Sequence, residues 1–191
     1  IIETLESDTL PGLRRRFPDL IIDFEGEEKH MNDSLGSLVM GFPLALFAIY
    51  VVIAALFKSY AQPFLILLII PFGCIGAVIG HIMLGHPLSL MSLFGIVALT
   101  GVVVNDSLVL VDFVNRNRKP GRPVLEAVLE GCTRRFRPIM LTTLTTFFAL
   151  VPMLAETSVQ AQFLVPMAIS LAFGVLFATA ITLVLIPTLY V

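Results

Sequence analysis

Five long runs of apolar residues, each almost free of charged side chains, dominate the chain. In a helix that rises ~1.5 Å per residue, about twenty such residues cross the ~30 Å hydrocarbon layer of a bilayer. Pro43 and Pro71 fall inside two of the runs and are expected to kink them. The pattern therefore predicts five membrane-spanning helices, at about 36–57, 63–85, 88–113, 138–155 and 161–187.

Composition excludes a water-soluble domain. Hydrophobic residues make up 57% of the chain and charged residues only 14%, whereas roughly a quarter of the residues in a soluble domain are charged. So few polar side chains could not cover five apolar runs packed in a soluble core. We therefore predict an all-α membrane protein, and nothing in the charge pattern supports nucleic-acid binding.

Charged residues divide the chain into a soluble head at 1–33 and a membrane domain at 34–191. The head holds nine acidic and four basic side chains, and the membrane domain holds five and eight. If the spans alternate in direction, Lys58 and the seven basic residues between 116 and 137 share one side. The positive-inside rule makes that side cytoplasmic, and the head then lies on the opposite face. The chain begins without Met or a signal peptide, so we expect a piece of a longer polypeptide.

The head itself predicts a short α/β remnant. "DTLPGLRRRFP" is typical of a brief helix, "DLIIDFEG" of one strand, and "EEKHMNDSLGSL" of a helix that continues into the first span. A single strand is not a sheet, so its partners are expected outside this chain.

A further helix is predicted at about 121–135, on the cytoplasmic surface of the membrane. One of its faces is apolar, and a Glu130–Arg134 pair four residues apart supports the helix. A basic loop that merely touches anionic lipid is the alternative, and the two are compatible. The apolar face consists of Leu125, Val128, Leu129, Cys132 and Phe136.

Small residues at every fourth position mark the predicted contacts between helices. Gly, Ala, Ser and Thr at this spacing let helix backbones approach closely in a membrane. One such stripe lies in the last span and a shorter one in the second. Their members are Ser170, Gly174, Ala178 and Thr182, and Gly76 and Gly80.

Asp106 is a carboxylate in the middle of the third run, "GVVVNDSLVLVDF". An ionised side chain at the bilayer centre costs at least ~2.5 kcal/mol on insertion scales, and such residues mark ion pathways or binding sites more often than not. A protonated, hydrogen-bonded packing residue is the alternative. Asp106 needs a polar partner, and Thr142 is a candidate. It is one of four threonines near the start of the fourth span, and their hydroxyls can bond either to their own helix or to a neighbouring helix.

Five ordered blocks of sequence resemble the C-terminal membrane half of resistance-nodulation-division (RND) exporters. They are "FEGEEKHMNDSL", "ALFKSYAQPFLILLIIPFGCIGAVIG", "LFGIVALTGVVVNDSLVLVDFVN", "EAVLEGCTRRFRPIMLTTLTTFFALVPM" and "GVLFATAITLVLIPTLY". The resemblance implies the last five of twelve spans, preceded by the end of a periplasmic porter domain at 1–33. It also implies a multi-pass protein of a Gram-negative inner membrane that exports drugs or other amphiphilic compounds in exchange for protons.

The resemblance also implies partners and a proton relay. The partners are membrane lipid, the N-terminal half of the transporter, two further copies in a homotrimer, a periplasmic adaptor and an outer-membrane channel. Asn105 stands where the best-known drug exporters carry a lysine, and Asp106 stands where they carry an asparagine. Thr142 and Arg135 align with relay-associated positions. Without the lysine, either Asp106 itself takes up protons or Asn105 serves as a neutral hydrogen-bond hub.

Other functions are less favoured by the sequence. A lipid- or protein-export member of the same superfamily and a purely structural membrane bundle remain alternatives. An intramembrane aspartyl protease would need a second deep carboxylate, so no catalytic residue and no enzyme are predicted. Cys74 and Cys132 lack metal-ligand spacing, and no cofactor or metal site is expected. Heavy-metal export is less favoured because the spans lack Met pairs and Cys/His clusters.

Overall fold

The structure is a computed structural model that describes residues 27–117 and 123–190. These residues form helices and contain no strand. The strand and short helix predicted for the N-terminal α/β remnant fall before residue 27, outside the described residues. The helices are α1 (Glu27–Phe57), α2 (Ala61–Leu67), α3 (Ile70–Leu84), α4 (Leu90–Asn117), α5 (Val124–Leu154), α6 (Val159–Gln162) and α7 (Val165–Tyr190).

The chain divides into two compact units, Ile1–Leu38 and Val39–Val191. The described part of the first unit is the beginning of α1. Five helical segments of the described residues are long and apolar enough to cross a membrane, in agreement with the hydrophobic pattern. They are Asp33–Phe57, Ala61–Leu84, Leu90–Asn117, Val128–Leu154 and Val165–Leu189.

The second membrane-length segment is broken into α2 and α3 by a turn at Leu68 and Ile69. Pro71 causes the break, because its ring clashes with the carbonyl four residues earlier, that of Leu67, where α2 ends. The Ile69 amide then bonds to the carbonyl of Ile66 at 3.4 Å, which is a tightened turn, and the Ile69 carbonyl accepts from Gly73. Pro43, by contrast, lies inside the continuous helix α1.

Helix α5 differs from the sequence prediction. One helix from Val124 to Leu154 replaces the separate surface helix at about 121–135 and the span at 138–155. Pro138 lies within it, and membrane helices tolerate proline where neighbouring groups satisfy the freed backbone. The predicted apolar face is also divided, because Val128 is buried whereas Leu129 is exposed.

Helix α7 is the centre of the bundle, since it packs against α3, α4 and α5. Its residues Ile169 and Ala172 are fully buried. Further along α7, Val175 and Ala178 belong to a buried core that also includes Leu99 and Leu110 of α4 and Ile69 beside α3. Helix α1 lies at the edge of this core: it contributes Ile53 to the core, and most of its other apolar side chains are exposed.

Candidate functional site: polar groups in and beside the membrane-length helices

The contact between α3 and α7 depends on two glycines. A Cβ atom on Gly76 would collide with the Cβ of Phe177, and a Cβ on Gly80 would lie 2.6 Å from that of Phe173. Backbones this close leave no room for side chains, which is the use that membrane helices make of small residues. All six residues of the two predicted small-residue stripes are buried.

The contact between α4 and α7 uses the same device. A Cβ on Gly174 would meet the side chain of Leu99, and a Cβ on Gly95 would meet the carbonyl oxygen of Met167 and the Cβ of Ser170. Gly95 was not selected from the sequence, because it has no small residue four positions away in a long stripe. The hub helix α7 is therefore held closely against both α3 and α4.

Asp106 lies on α4, one residue away from the buried Ser107. The Ser107 hydroxyl donates to the Val103 carbonyl at 2.8 Å, so it is satisfied within its own helix. The Asp106 side chain is half-buried, and Asn105 is exposed on the bundle surface. Among the described residues, none makes a hydrogen bond or ion pair with the Asp106 carboxylate.

The structure does not place Thr142 in contact with Asp106. The Thr142 side chain is exposed and donates to the Ile139 carbonyl of its own helix at 2.8 Å. The neighbouring threonine, Thr143, is buried and hydrogen-bonds to the hydroxyl of Thr179 on α7 at 2.9 Å. The sequence periodicity did not show which threonine contacts another helix. Thr143 is the one that joins α5 to the central helix α7.

Arg135 lies at the start of the fourth span and contacts α4. Its guanidinium carbon is 4.9 Å from the centre of the Phe113 ring, a cation–π contact. Its Nε atom is buried and has no hydrogen-bond partner among the described residues. Asp112, next to Phe113, pairs instead with Arg116 one turn further along, at 2.8 Å. The structure therefore brings Arg135 to α4 but joins it to none of the other predicted relay residues.

A buried histidine forms a polar cluster that the sequence analysis missed. His81 is 3% exposed, and its Nδ1 lies 2.9 Å from the Ala77 carbonyl while its Nε2 lies 2.8 Å from the Ser92 hydroxyl. Ser92 in turn accepts a hydrogen bond from the Ser89 amide at 3.0 Å. A histidine inside a run otherwise free of charge could have drawn attention to it, since ionisable residues in spans are rare and face the bundle interior.

A second missed cluster lies at the other end of α4. Gln62 of α2 and Asn115 exchange two hydrogen bonds between their amide groups, at 3.1 and 2.9 Å. This pair ties α2 to α4 although 53 residues separate the partners. Within the described residues, no group of three or more His, Cys, Asp or Glu side chains could hold a metal ion.

Five membrane-length helical segments, three of which pack against α7, with polar and ionisable side chains between them, define a polytopic membrane protein. Residues 15–191 match the AcrB/AcrD/AcrF family, and the chain therefore belongs to this family. The resemblance to RND efflux transporters is thereby confirmed.

Two crystal structures of a heavy metal efflux pump are similar to this chain. Crystal form II is 27% identical with a TM-score of 0.77, and the match covers 95% of this chain and 19% of that one. Crystal form I is also 27% identical, with a TM-score of 0.73, and the match covers 96% of this chain and 19% of that one. The chain thus spans about a fifth of the length of the pumps it matches. These similar proteins are transporters and not enzymes.

Proposed function

We propose that this chain is the C-terminal membrane portion of a proton-driven RND exporter. The observation that carries the proposal is Asp106, a half-buried carboxylate within the membrane-length helix α4 that has no partner among the described residues. A carboxylate in this position is energetically costly, and proton relay is one of the functions that intramembrane carboxylates serve.

In this proposal Asp106 binds and releases the transported proton. Asn105 lies beside Asp106 on the exposed side of α4. In the complete bundle, Asn105 and its hydrogen-bond partners orient the Asp106 carboxylate or the proton bound to it. Thr142 and Arg135 have supporting roles: Arg135 is already held against α4 through Phe113, and Thr142 must exchange its intrahelical bond to reach a relay partner. The close contacts of α7 with its neighbours keep the helices in place while Asp106 binds and releases the proton.

The proposed assembly follows the family resemblance. The five spans complete a twelve-helix bundle with an N-terminal half, three such subunits associate, and a periplasmic adaptor and an outer-membrane channel complete the export path. The exposed apolar side chains of α1, such as Phe47 and Val52, support further packing or lipid contact on that face. The proposed location is the inner membrane of a Gram-negative cell.

The proposed substrates are drugs or other amphiphilic compounds. Heavy-metal ions are the second candidate, favoured by the two similar pump structures. The described residues contain no group of three metal-ligating side chains, so any metal path through this part would need ligands from elsewhere in the transporter. Growth of cells expressing the full-length transporter, challenged separately with amphiphilic drugs and with soft metal ions, separates these candidates. Lipid or protein export would give protection against neither.

Asp106→Asn in the full-length transporter tests the proposal, because it keeps size and polarity but removes titration. We expect normal assembly and at least about a hundredfold loss of substrate extrusion and of coupled proton flux in proteoliposomes under an imposed pH gradient. Asp112→Asn, which breaks an ion pair with the exposed Arg116 of the same helix, is the matched control and should transport normally. Full coupled transport by Asp106→Asn would reduce Asp106 to a packing residue. Asn105→Ala and Thr142→Ala should give smaller defects.

A further inference from the structure

The cluster of His81, Ser92 and Ser89 has a hydrogen-bonding pattern that fixes where its protons lie. A backbone carbonyl only accepts, so the His81 nitrogen beside Ala77, Nδ1, carries a hydrogen. In the neutral ring, Nε2 is then an acceptor and the Ser92 hydroxyl donates to it across 2.8 Å. Ser92 accepts at the same time from the Ser89 amide. Every polar atom of the neutral ring is satisfied.

The same cluster can hold the charged ring without leaving an atom unpaired. If a proton binds to Nε2, both ring nitrogens become donors, and Nε2–H donates to Ser92. The Ser92 hydroxyl hydrogen must then turn away, and the Ser89 hydroxyl oxygen, 3.4 Å from that of Ser92, can accept it. Binding one proton therefore requires one hydroxyl rotation and breaks no bond to Ala77 or to the Ser89 amide.

The helix ends around His81 favour neither form strongly. His81 lies in the last turn of α3, whose negative dipole end stabilises a cation. Ser89 and Ser92 lie at the start of α4, whose positive end opposes one. Gly80 beside His81 faces Phe173 of α7, which carries no charge. No carboxylate among the described residues bonds to the ring, so neither form is fixed by an ion pair.

One side of the cluster borders the surface of the described residues. An open groove of about 450 Å³ borders the turn between α3 and α4, and both His81 and the exposed His86 line it together with apolar residues. His86 is the other titratable group of the groove. Charging a ring as buried as His81 is costly unless water enters, so proton binding is linked to the wetting of this end of the bundle.

We infer that His81, with Ser92 and Ser89, is a second proton-binding site of the transporter, placed at the end of α3 and α4 away from Lys58. The inference rests on the proposed proton-driven function. Ser92 and Asp106 are fourteen positions apart on α4, which is about 21 Å along the helix, so the two sites cannot exchange a proton directly. In the proposed proton pathway, His81 binds the proton at one end of the bundle, and Asp106 binds it deep within the membrane-length helix α4.

The test uses the full-length transporter with His81→Gln, which retains an amide in reach of Ser92 but does not titrate. His86→Gln, in the same groove, is the matched control. We expect His81→Gln to keep wild-type thermal stability and to lose proton-driven extrusion by about tenfold or more, with a changed pH profile, while His86→Gln keeps both. Wild-type rates and an unchanged pH profile in His81→Gln would reduce the cluster to a structural clamp.

A spectroscopic measurement makes the test independent of how the variant folds. In protein labelled with ¹⁵N-histidine and ¹³C-serine, the His81 ring signals are those that solid-state NMR connects to a serine and that are missing from His81→Gln. We expect its ring to be in the neutral Nδ1–H form at the alkaline end of the pH range over which the transporter works and in the doubly protonated form at the acidic end. A ring that stays neutral over this range overturns the inference. If extrusion by the wild-type protein does not depend on an imposed pH gradient, the proposed function itself is wrong. If the gradient drives extrusion by the wild type and His81→Gln is equally active, only this inference is wrong.

Discussion

The hydroxyl oxygens of Thr143 on α5 and Thr179 on α7 lie 2.9 Å apart, and both side chains are buried. Without the other, each hydroxyl could bond only to a carbonyl of its own helix, and the connection between α5 and α7 would be lost. Hydrogen bonds between membrane helices contribute about 0.6 kcal/mol on average and up to about 1.7 kcal/mol. Thr143→Val should therefore lower the free energy of unfolding of the full-length protein by about that amount.

Thr142→Val is the matched control, because Thr142 is exposed and bonds only within its own helix. It should change stability by less than about 0.5 kcal/mol. A double-mutant cycle with Thr179→Val measures the coupling directly. Equal effects of the substitutions at positions 142 and 143, with zero coupling, would show that the pair contributes nothing.

Gly76→Ala should destabilise the bundle although it adds only one methyl group. The new Cβ would collide with the Cβ of Phe177, and neither atom is the end of a flexible side chain. The helices must separate, at a cost of about 1–3 kcal/mol. The measurement is thermal unfolding of the purified transporter.

Gly101→Ala is the control for that experiment, since a Cβ on Gly101 meets no atom within 4 Å in this chain. Alanine favours a helix over glycine, so this variant should be as stable as the wild type or more stable by up to about 1 kcal/mol. If Gly76→Ala behaves like Gly101→Ala, the close approach of α3 and α7 is not required. The same comparison applies to Gly174→Leu, which we expect to damage packing against Leu99 more severely.

Arg135→Ala should destabilise the protein more than Arg134→Ala, although the two arginines are neighbours. Arg135 stacks on Phe113 of α4, a contact that contributes about 0.5–2 kcal/mol. Arg134 makes an ion pair with Glu130 of its own helix and is 67% exposed, so its loss should cost no more than about 0.5 kcal/mol. Equal losses in unfolding experiments would argue against the α4–α5 contact.

Labelling of single cysteines tests the predicted orientation of the spans. In a variant without Cys74 and Cys132, Arg116→Cys should be modified by an impermeant reagent only from the cytoplasm, and Thr157→Cys only from the periplasm. Both side chains are exposed. Modification of position 116 from outside intact cells would reverse the proposed topology.

The sequence by itself determined that the described residues contain five helices of membrane-spanning length and that the chain belongs among RND efflux transporters. A bilayer requires about twenty apolar residues per helix, and this requirement leaves a pattern that needs no tertiary information to read. The small-residue stripe from Ser170 to Thr182 can be recognised in the sequence for a related reason, because a spacing of four places residues on one face of any helix.

Only the tertiary structure decided what those faces meet. The spacing in α7 does not say that Gly174 lies against Leu99 or that Phe177 covers Gly76. The rotation of α5 about its axis makes Thr143, and not Thr142, the partner of Thr179. Periodicity describes each helix within itself, whereas such contacts depend on how two helices are rotated and shifted against each other.

The same reason explains the polar clusters that the sequence analysis missed. His81 and Ser92 lie on different helices, and their hydrogen bond exists only because the turn after Gly85 folds α4 back beside α3. Gln62 and Asn115 are 53 residues apart and meet only because α2 packs against α4 in the bundle. Local sequence fixes which helices form and where proline breaks them, but the pairing of polar groups between helices is a property of the packed bundle.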